Sequence, residues 1–144
     1  GMADNGYGQN RAARRLLFLG QARIPVPNKR LQLTTLGSGY VAAFGGPSPL
    51  PLSALNAGRV GFYASYTLDT GGTSERALGG LRLRYAGERG DLDAMVYAQW
   101  RRLELRENFT GSLLFADQGD TKLQFHRSQG GGARLRYDGR LRKE

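Results

Sequence analysis

Residues 81–105 constrain this chain more than any other stretch. They read Leu-Arg-Leu-Arg-Tyr, then the polar turn Ala86-Gly87-Glu88-Arg89-Gly90-Asp91, then Leu-Asp-Ala-Met-Val-Tyr-Ala-Gln-Trp and Arg-Arg-Leu-Glu-Leu. Two alternating runs around a Gly-rich turn are the signature of a β-hairpin. Successive side chains of a strand point to opposite faces. Leu81, Leu83 and Tyr85 therefore share one face of the first arm, and Arg82 and Arg84 the other. On the second arm Leu92, Ala94, Val96, Ala98 and Trp100 share a face. The hairpin has one wet face and one greasy face, and the fold turns on whether the greasy face meets a core or lipid.

The same period of two recurs along the chain. Residues 14–24 read as a strand with Leu16, Phe18, Ala22 and Ile24 on one side and Arg15, Leu17, Leu19, Gln21 and Arg23 on the other. A helix over 11–19 competes, because Ala and Leu favour helices; Gly20 and Pro25 cut it short. Residues 25–29 make a compact turn. Residues 30–44 form a second strand, with Gly37 and Gly39 read as a bulge or bend. The Pro- and Gly-rich run from Gly45 ends it. The next expected strand inside the long segment 45–76 is a short one at 59–68. Strands follow at 77–86 and 92–106, then a second long connection, 107–129, with a short strand at 122–126. Gly130-Gly131-Gly132 leads into 133–137, where Arg134 and Arg136 oppose Leu135 and Tyr137.

This predicts an all-β chain, an antiparallel up-and-down sheet that is a partial or small closed β-barrel. Residues 1–10 are expected to be a disordered end, with Gly1 ahead of Met2 read as a tag scar. Residues 11–144 form a single β domain with long loops 45–76 and 107–129. Short turns, at 25–29 and 87–91, alternate with those long loops. Outer-membrane barrels have this asymmetry, and their strands of about 9–11 residues alternate apolar-out with polar-in. Trp100 and Tyr85 fall near opposite ends of their strands, as in an aromatic girdle.

Composition excludes several chemistries. The chain has no Cys and a single His, His126, so there is no thiol chemistry and no His-rich or Cys-rich metal site. No metal site, cofactor or enzymatic activity is expected. No apolar run approaches the ~20 residues of a spanning helix, and the polar N-terminus carries no secretory signal. The net charge is +9. Its arginines are strung through alternating strands rather than clustered, which reads as a solvated face. Arg82, Arg84, Arg101, Arg134 and Arg136 form a ladder interleaved with Tyr85, Tyr97, Trp100 and Tyr137. A stacking surface for nucleic acid would put rings and arginines on one face; over 81–85 they are opposed, which argues against that partner.

Other motifs read as structural. Gly37-Ser38-Gly39-Tyr40-Val41-Ala42 fits a dinucleotide pattern, but Phe44-Gly45-Gly46-Pro47 stops the helix that pattern needs. His126 has Asp117 and Asp120 near it in sequence, with no spacing that fixes a nucleophile and base. Asp93 and Arg84 are placed to pair across the hairpin. Asn108-Phe109-Thr110 matches a glycosylation acceptor and is read as coincidence.

Several segments resemble TonB-dependent outer-membrane receptors. They are residues 50–58, Asp69-Thr70-Gly71-Gly72-Thr73-Ser74-Glu75-Arg76, Arg106-Glu107-Asn108-Phe109-Thr110 followed by Gly119-Asp120, and the run 130–137. The resemblance covers the chain from about Arg11 onward. It implies a segment of barrel wall, without plug domain or TonB box, from a receptor that takes up a chelated metal (a siderophore or similar nutrient) across the outer membrane. Such barrels close around about 22 strands, more than this chain holds. The implied ligand surface is the long loops plus the lumen-facing arginines Arg82, Arg84, Arg101, Arg134 and Arg136, which would attract an anionic chelate. Bare sheet edges imply self-association. The competing reading is a small soluble β-barrel that binds an apolar or anionic ligand, with its greasy faces inward.

Overall fold

The computed structural model describes residues 1–111, 113–115 and 120–140. The elements are β1 (Met2–Asp4), β2 (Ala13–Ile24), β3 (Leu31–Gly45), the short helix α1 (Leu52–Asn56), β4 (Gly71–Ala86), β5 (Gly90–Asn108) and β6 (Thr121–Gly139). They make one six-stranded antiparallel sheet in the order β1-β2-β3-β4-β5-β6. Each strand pairs with its neighbour in sequence, so the topology is up-and-down. The sheet is not closed into a barrel; of the two expected forms it takes the partial, open one.

Several expectations are corrected. Residues 1–10 are not a disordered end: Met2, Ala3 and Asp4 pair with Arg15, Arg14 and Ala13. No strand forms at 59–68; that segment is turns and bends. Residues 122–126 and 133–137 belong to one strand, β6, which runs straight through Gly130-Gly131-Gly132. The connections shorten to 46–70 and 109–120, because β4 starts at Gly71 and β5 continues to Asn108. Gly37 and Gly39 do not interrupt β3.

The reason lies in what covers the glycines. A Cβ on Gly39 would collide with the Phe18 ring, and one on Gly132 with the Tyr97 ring. In both places an aromatic ring on one strand occupies the space beside a glycine on the next. Cross-strand pairing thus fills the gap that glycine leaves, and a glycine that looks like a strand breaker in sequence becomes a seat for a ring.

Backbone contacts divide the chain into two units. The first comprises Gly1–Leu17, Tyr40–Glu75 and Arg101–Arg127; the second comprises Phe18–Gly39, Arg76–Trp100 and Ser128–Glu144. Among the described residues only Ala42 and Ala54 are buried apolar side chains, and both belong to the first unit. The other buried residues with polar side chains are Ser48, Ser65, Thr70, Ser74, Asn108 and Asp120, in the same unit. The long connections are therefore held by hydrogen bonds, since buried polar groups must be paired. The second unit has no buried apolar side chain among its described residues. It is a bare sheet with two open faces.

Candidate functional site

Cross-strand contacts fix which residues of the second unit share a face. A Cβ on Gly80 would lie 3.7 Å from Tyr97 Cβ and 3.9 Å from Leu36 Cβ. Gly80, Tyr97 and Leu36 therefore stand on one side. Tyr97 over Gly132 places the even-numbered residues of β6 there too, and Phe18 over Gly39 places the even-numbered residues of β2 on the opposite side.

That opposite side carries no charge. Its positions are Phe18, Gly20, Ala22 and Ile24; Leu31, Leu33, Thr35, Gly37 and Gly39; Ala77, Gly79, Leu81, Leu83 and Tyr85; Leu92, Ala94, Val96, Ala98 and Trp100; and Gln129, Gly131, Ala133, Leu135 and Tyr137. On β4, β5 and β6 these positions span nine residues, as at 92–100, and on β3 they span nine within the second unit while the uncharged alternation continues through Val41, Ala43 and Gly45. At ~3.3 Å per residue, nine residues cover about 26 Å along a strand. The face is open: Phe18 is 62 %, Val96 52 % and Leu135 73 % exposed. Along β5 the even-numbered positions then turn charged at Arg102, Glu104 and Arg106.

The charged side of the second unit centres on Asp93. Arg82 Nε donates to Asp93 Oδ1 at 2.9 Å, and a second guanidinium N–H of Arg82 donates to Oδ2. Arg84 Nε lies 3.5 Å from Asp93 Oδ2, and the charge of Arg134 acts on the same carboxylate. The expected Asp93–Arg84 contact is present, but Arg82 is the bidentate partner. Sequence spacing alone could not choose between them, because direct and diagonal cross-strand neighbours are both within reach of long side chains. Arg136 is paired with Asp138 at 2.9 Å. Near the tight turn, Arg140 donates to Asp91 at 3.0 Å and Arg30 to Glu88 at 2.9 Å.

Of the five ladder arginines, three (Arg82, Arg84 and Arg134) thus gather around one carboxylate. Arg136 holds an acid of its own, and Arg101 lies exposed in the first unit. The cluster keeps a positive excess that can attract an anion, with part of its charge already spent on Asp93. Tyr97 is the ring on this side, and it is occupied over Gly132, while Tyr85, Trp100 and Tyr137 stand on the uncharged side.

The first unit holds two polar loop networks that the sequence reading did not identify. Asn10, at φ 54°, donates through Nδ2 to Gly46 O (2.9 Å), Thr70 O (2.7 Å) and Thr70 Oγ1 (2.9 Å). Ser48 and Ser65 hydroxyls meet at 3.1 Å, and Ser65 Oγ donates to Thr67 O at 2.6 Å. In the second connection Asn108 brackets Gly111, donating to its carbonyl and accepting from its N–H, both at 2.7 Å. Asp120 accepts from the Thr110 hydroxyl at 2.5 Å and from the N–H groups of Leu114 and Phe115 at 3.0 and 2.8 Å. The Thr110 bond, joined by the backbone N–H groups, holds its carboxyl below the usual carboxylate range against the opposing pull of desolvation. An Asn ahead of a Gly-rich turn and a Ser-Pro-rich loop are the faint signals that could have pointed to these networks. An open cavity in this unit is lined by Asp4, Asn10, Arg14, Asp69, Glu104 and Arg106, among others. Its charges are largely internal: Glu104 lies 3.5 Å from Arg106, and Asp4 accepts from Gly6 N–H.

His126 stands exposed on β6. Asp120 is engaged with its own loop, and Asp117 and Gly119 lie outside the described residues, so nothing on view assembles a base and nucleophile. Among the described residues no cluster of three His, Cys, Asp or Glu side chains could hold a metal. The segment 37–42 is plain strand within β3, with no helix following it.

No family model, curated protein or solved structure matches the chain.

Proposed function

We propose that this chain is a section of the wall of an outer-membrane β-barrel, with its uncharged face against lipid and its Asp93-centred face toward the lumen. We further propose that the parent is a receptor of the TonB-dependent kind, which takes up a chelated metal such as a ferric siderophore, or a similar nutrient. The observation that carries the reading is the uncharged, uncovered band on five adjacent strands. A soluble domain of this length normally buries a core; here the greasy residues surround nothing. The nine residues of the runs at 77–85, 92–100 and 129–137 match the length that a barrel strand uses to cross the hydrocarbon. Tyr85 and Tyr137 stand at the tight-turn ends of their runs and Trp100 at the far end of its own, where a girdle needs amphipathic rings. The loops and the arginine cluster would then form the ligand-facing surface.

Flotation tests the wall reading. The full chain is refolded in the presence of phosphatidylcholine vesicles and centrifuged through a density gradient with trypsin added. It is expected to float, with cleavage after Arg82, Arg84 and Arg101 suppressed. A monomer that keeps its β circular dichroism yet stays in the dense fractions would contradict the reading. The receptor assignment is tested separately by the neighbouring DNA, which should encode a plug upstream and further alternating strands downstream.

A further inference from the structure

Two residues past Trp100, on the same side of β5, the side chains become charged: Arg102, Glu104 and Arg106 follow one another. The Arg102 guanidinium stands over the Phe125 ring, 5.5 Å from its centre, so the odd-numbered residues of β6 share that side. Ala98 lies beside Gly131, and both strands run unbroken past that pair. Four residues further along, Arg102 therefore stands directly opposite Arg127, and both belong to the first unit. Arg89 and Arg140 form a hydrogen-bonded pair of this ladder, with Arg140 N–H donating to Arg89 O at 3.0 Å. Alternation then makes Arg102 and Arg127 a non-hydrogen-bonded pair, the kind that brings side chains closest, with Cα atoms about 4.5 Å apart.

Like charges directly opposite each other destabilise a strand pair. The acid in contact with this one is Glu104, and two arginines share it, Arg102 at 3.7 Å and Arg106 at 3.5 Å. Arg127 is exposed and makes no ion pair among the described residues. The other charges on this side of the first unit are Arg14 on β2 and Glu75 on β4. Glu75 is level with Arg102 and makes no ion pair with it. The arginine pair thus carries an excess of positive charge that the sheet itself leaves open.

We propose that Arg102 and Arg127 together bind the terminal phosphate of a lipid headgroup. Two guanidinium forks match the oxygens of a phosphate, and a phosphomonoester near neutral pH carries between one and two negative charges, enough to offset the repulsion of the pair. The inference rests on the wall reading, because that reading sets the depth. Arg102 lies about 7 Å along β5 past the uncharged run at ~3.3 Å per residue, and each headgroup layer is about 5–7 Å deep. Arg106, about 20 Å past the run, lies beyond that layer.

Trp100 reports on the lipid beside the pair. The full chain is refolded into phosphatidylcholine vesicles in which a fixed fraction of the lipid is brominated, either as phosphatidylcholine or as phosphatidic acid. Brominated phosphatidic acid is expected to occupy the positions that quench Trp100 with about threefold preference, the size of effect that exposed ion pairs supply. Joint Arg102→Gln and Arg127→Gln substitution is expected to bring that preference to about one. Lys122→Gln, which removes a charge from the other side of β6, is expected to keep it. Equal quenching by the two lipids in the wild type, or a preference that survives the double substitution, would overturn the proposal. Loss of the preference in inorganic phosphate at constant ionic strength would assign the pair to a free anion and overturn it too. Absence of quenching by either lipid would overturn the wall reading and this inference with it, so the two failures are distinct. Arg127→Gln alone relieves the repulsion. It is expected to unfold at higher urea than the wild type in phosphatidylcholine and at lower urea once phosphatidic acid is included. Should the double variant lose its β circular dichroism, the same order of the single variant and the wild type in both lipids would overturn the proposal.

Discussion

Replacing Val96 with arginine separates lipid from water as the medium of the uncharged face. Val96 is the central residue of 92–100, about 13 Å from either end at ~3.3 Å per residue. It is 52 % exposed, so few protein contacts are lost. In water such a surface change falls within about 0.5 kcal/mol. At the middle of a bilayer an arginine on the lipid face costs about 2–4 kcal/mol. Gln99→Arg provides the control, because Gln99 stands on the charged side of the same strand. The assay is urea unfolding of the refolded chain from phosphatidylcholine vesicles, with tryptophan emission as the signal. The expected result is a loss of about 2–4 kcal/mol for Val96→Arg and less than about 1 kcal/mol for Gln99→Arg. Equal effects of the two substitutions would mean that both faces meet the same medium, and would rule out lipid on the uncharged one.

Three further outcomes follow from the geometry. Gly39→Ala should push the exposed Phe18 ring off its seat at a cost of no more than about 1 kcal/mol, because the far edge of the ring can swing away, and Phe18→Ala should remove that cost in the double variant, read as non-additivity in denaturant unfolding. Asn10→Gly keeps the positive-φ backbone but removes three hydrogen bonds, one of them to the buried Thr70 hydroxyl; it should cost about 1–3 kcal/mol and raise amide exchange at Gly46, with unchanged exchange arguing against the network. Because the Asp120 carboxyl is held low, its contribution is full above the usual carboxylate range and is lost as pH falls through the lower folded value. Protection of the Leu114 and Phe115 amides, corrected for intrinsic exchange, should therefore drop in acid, and Asp120→Asn should abolish that pH dependence.

The strands were legible because their signal is local. A period of two at 14–24, 30–44 and 81–105 needs no tertiary information, and the elements formed there within a few residues. What sequence could not supply was pairing. Gly39 and Gly132 look like strand breakers until Phe18 and Tyr97 lie over them, and those partners are distant in the chain. The triple glycine at 130–132 looks like a lead-in to a strand for the same reason. Residues 1–10 looked unstructured because Asn10 acts through partners as far away as Thr70. The charged cluster was half legible: alternation placed Arg82, Arg84 and Asp93 on the wet side, but only the cross-strand geometry made Arg82 the main partner.

Trp100 is the chain's single tryptophan, and it ends the uncharged run on β5. Its quenching by brominated phosphatidylcholines therefore tests the central claim without any substitution. A lipid-facing band predicts strong quenching by acyl-chain bromines, greatest when they lie near the headgroup, together with weak quenching by aqueous iodide. Efficient iodide quenching with no effect of lipid bromine would place this face in water and contradict its contact with lipid.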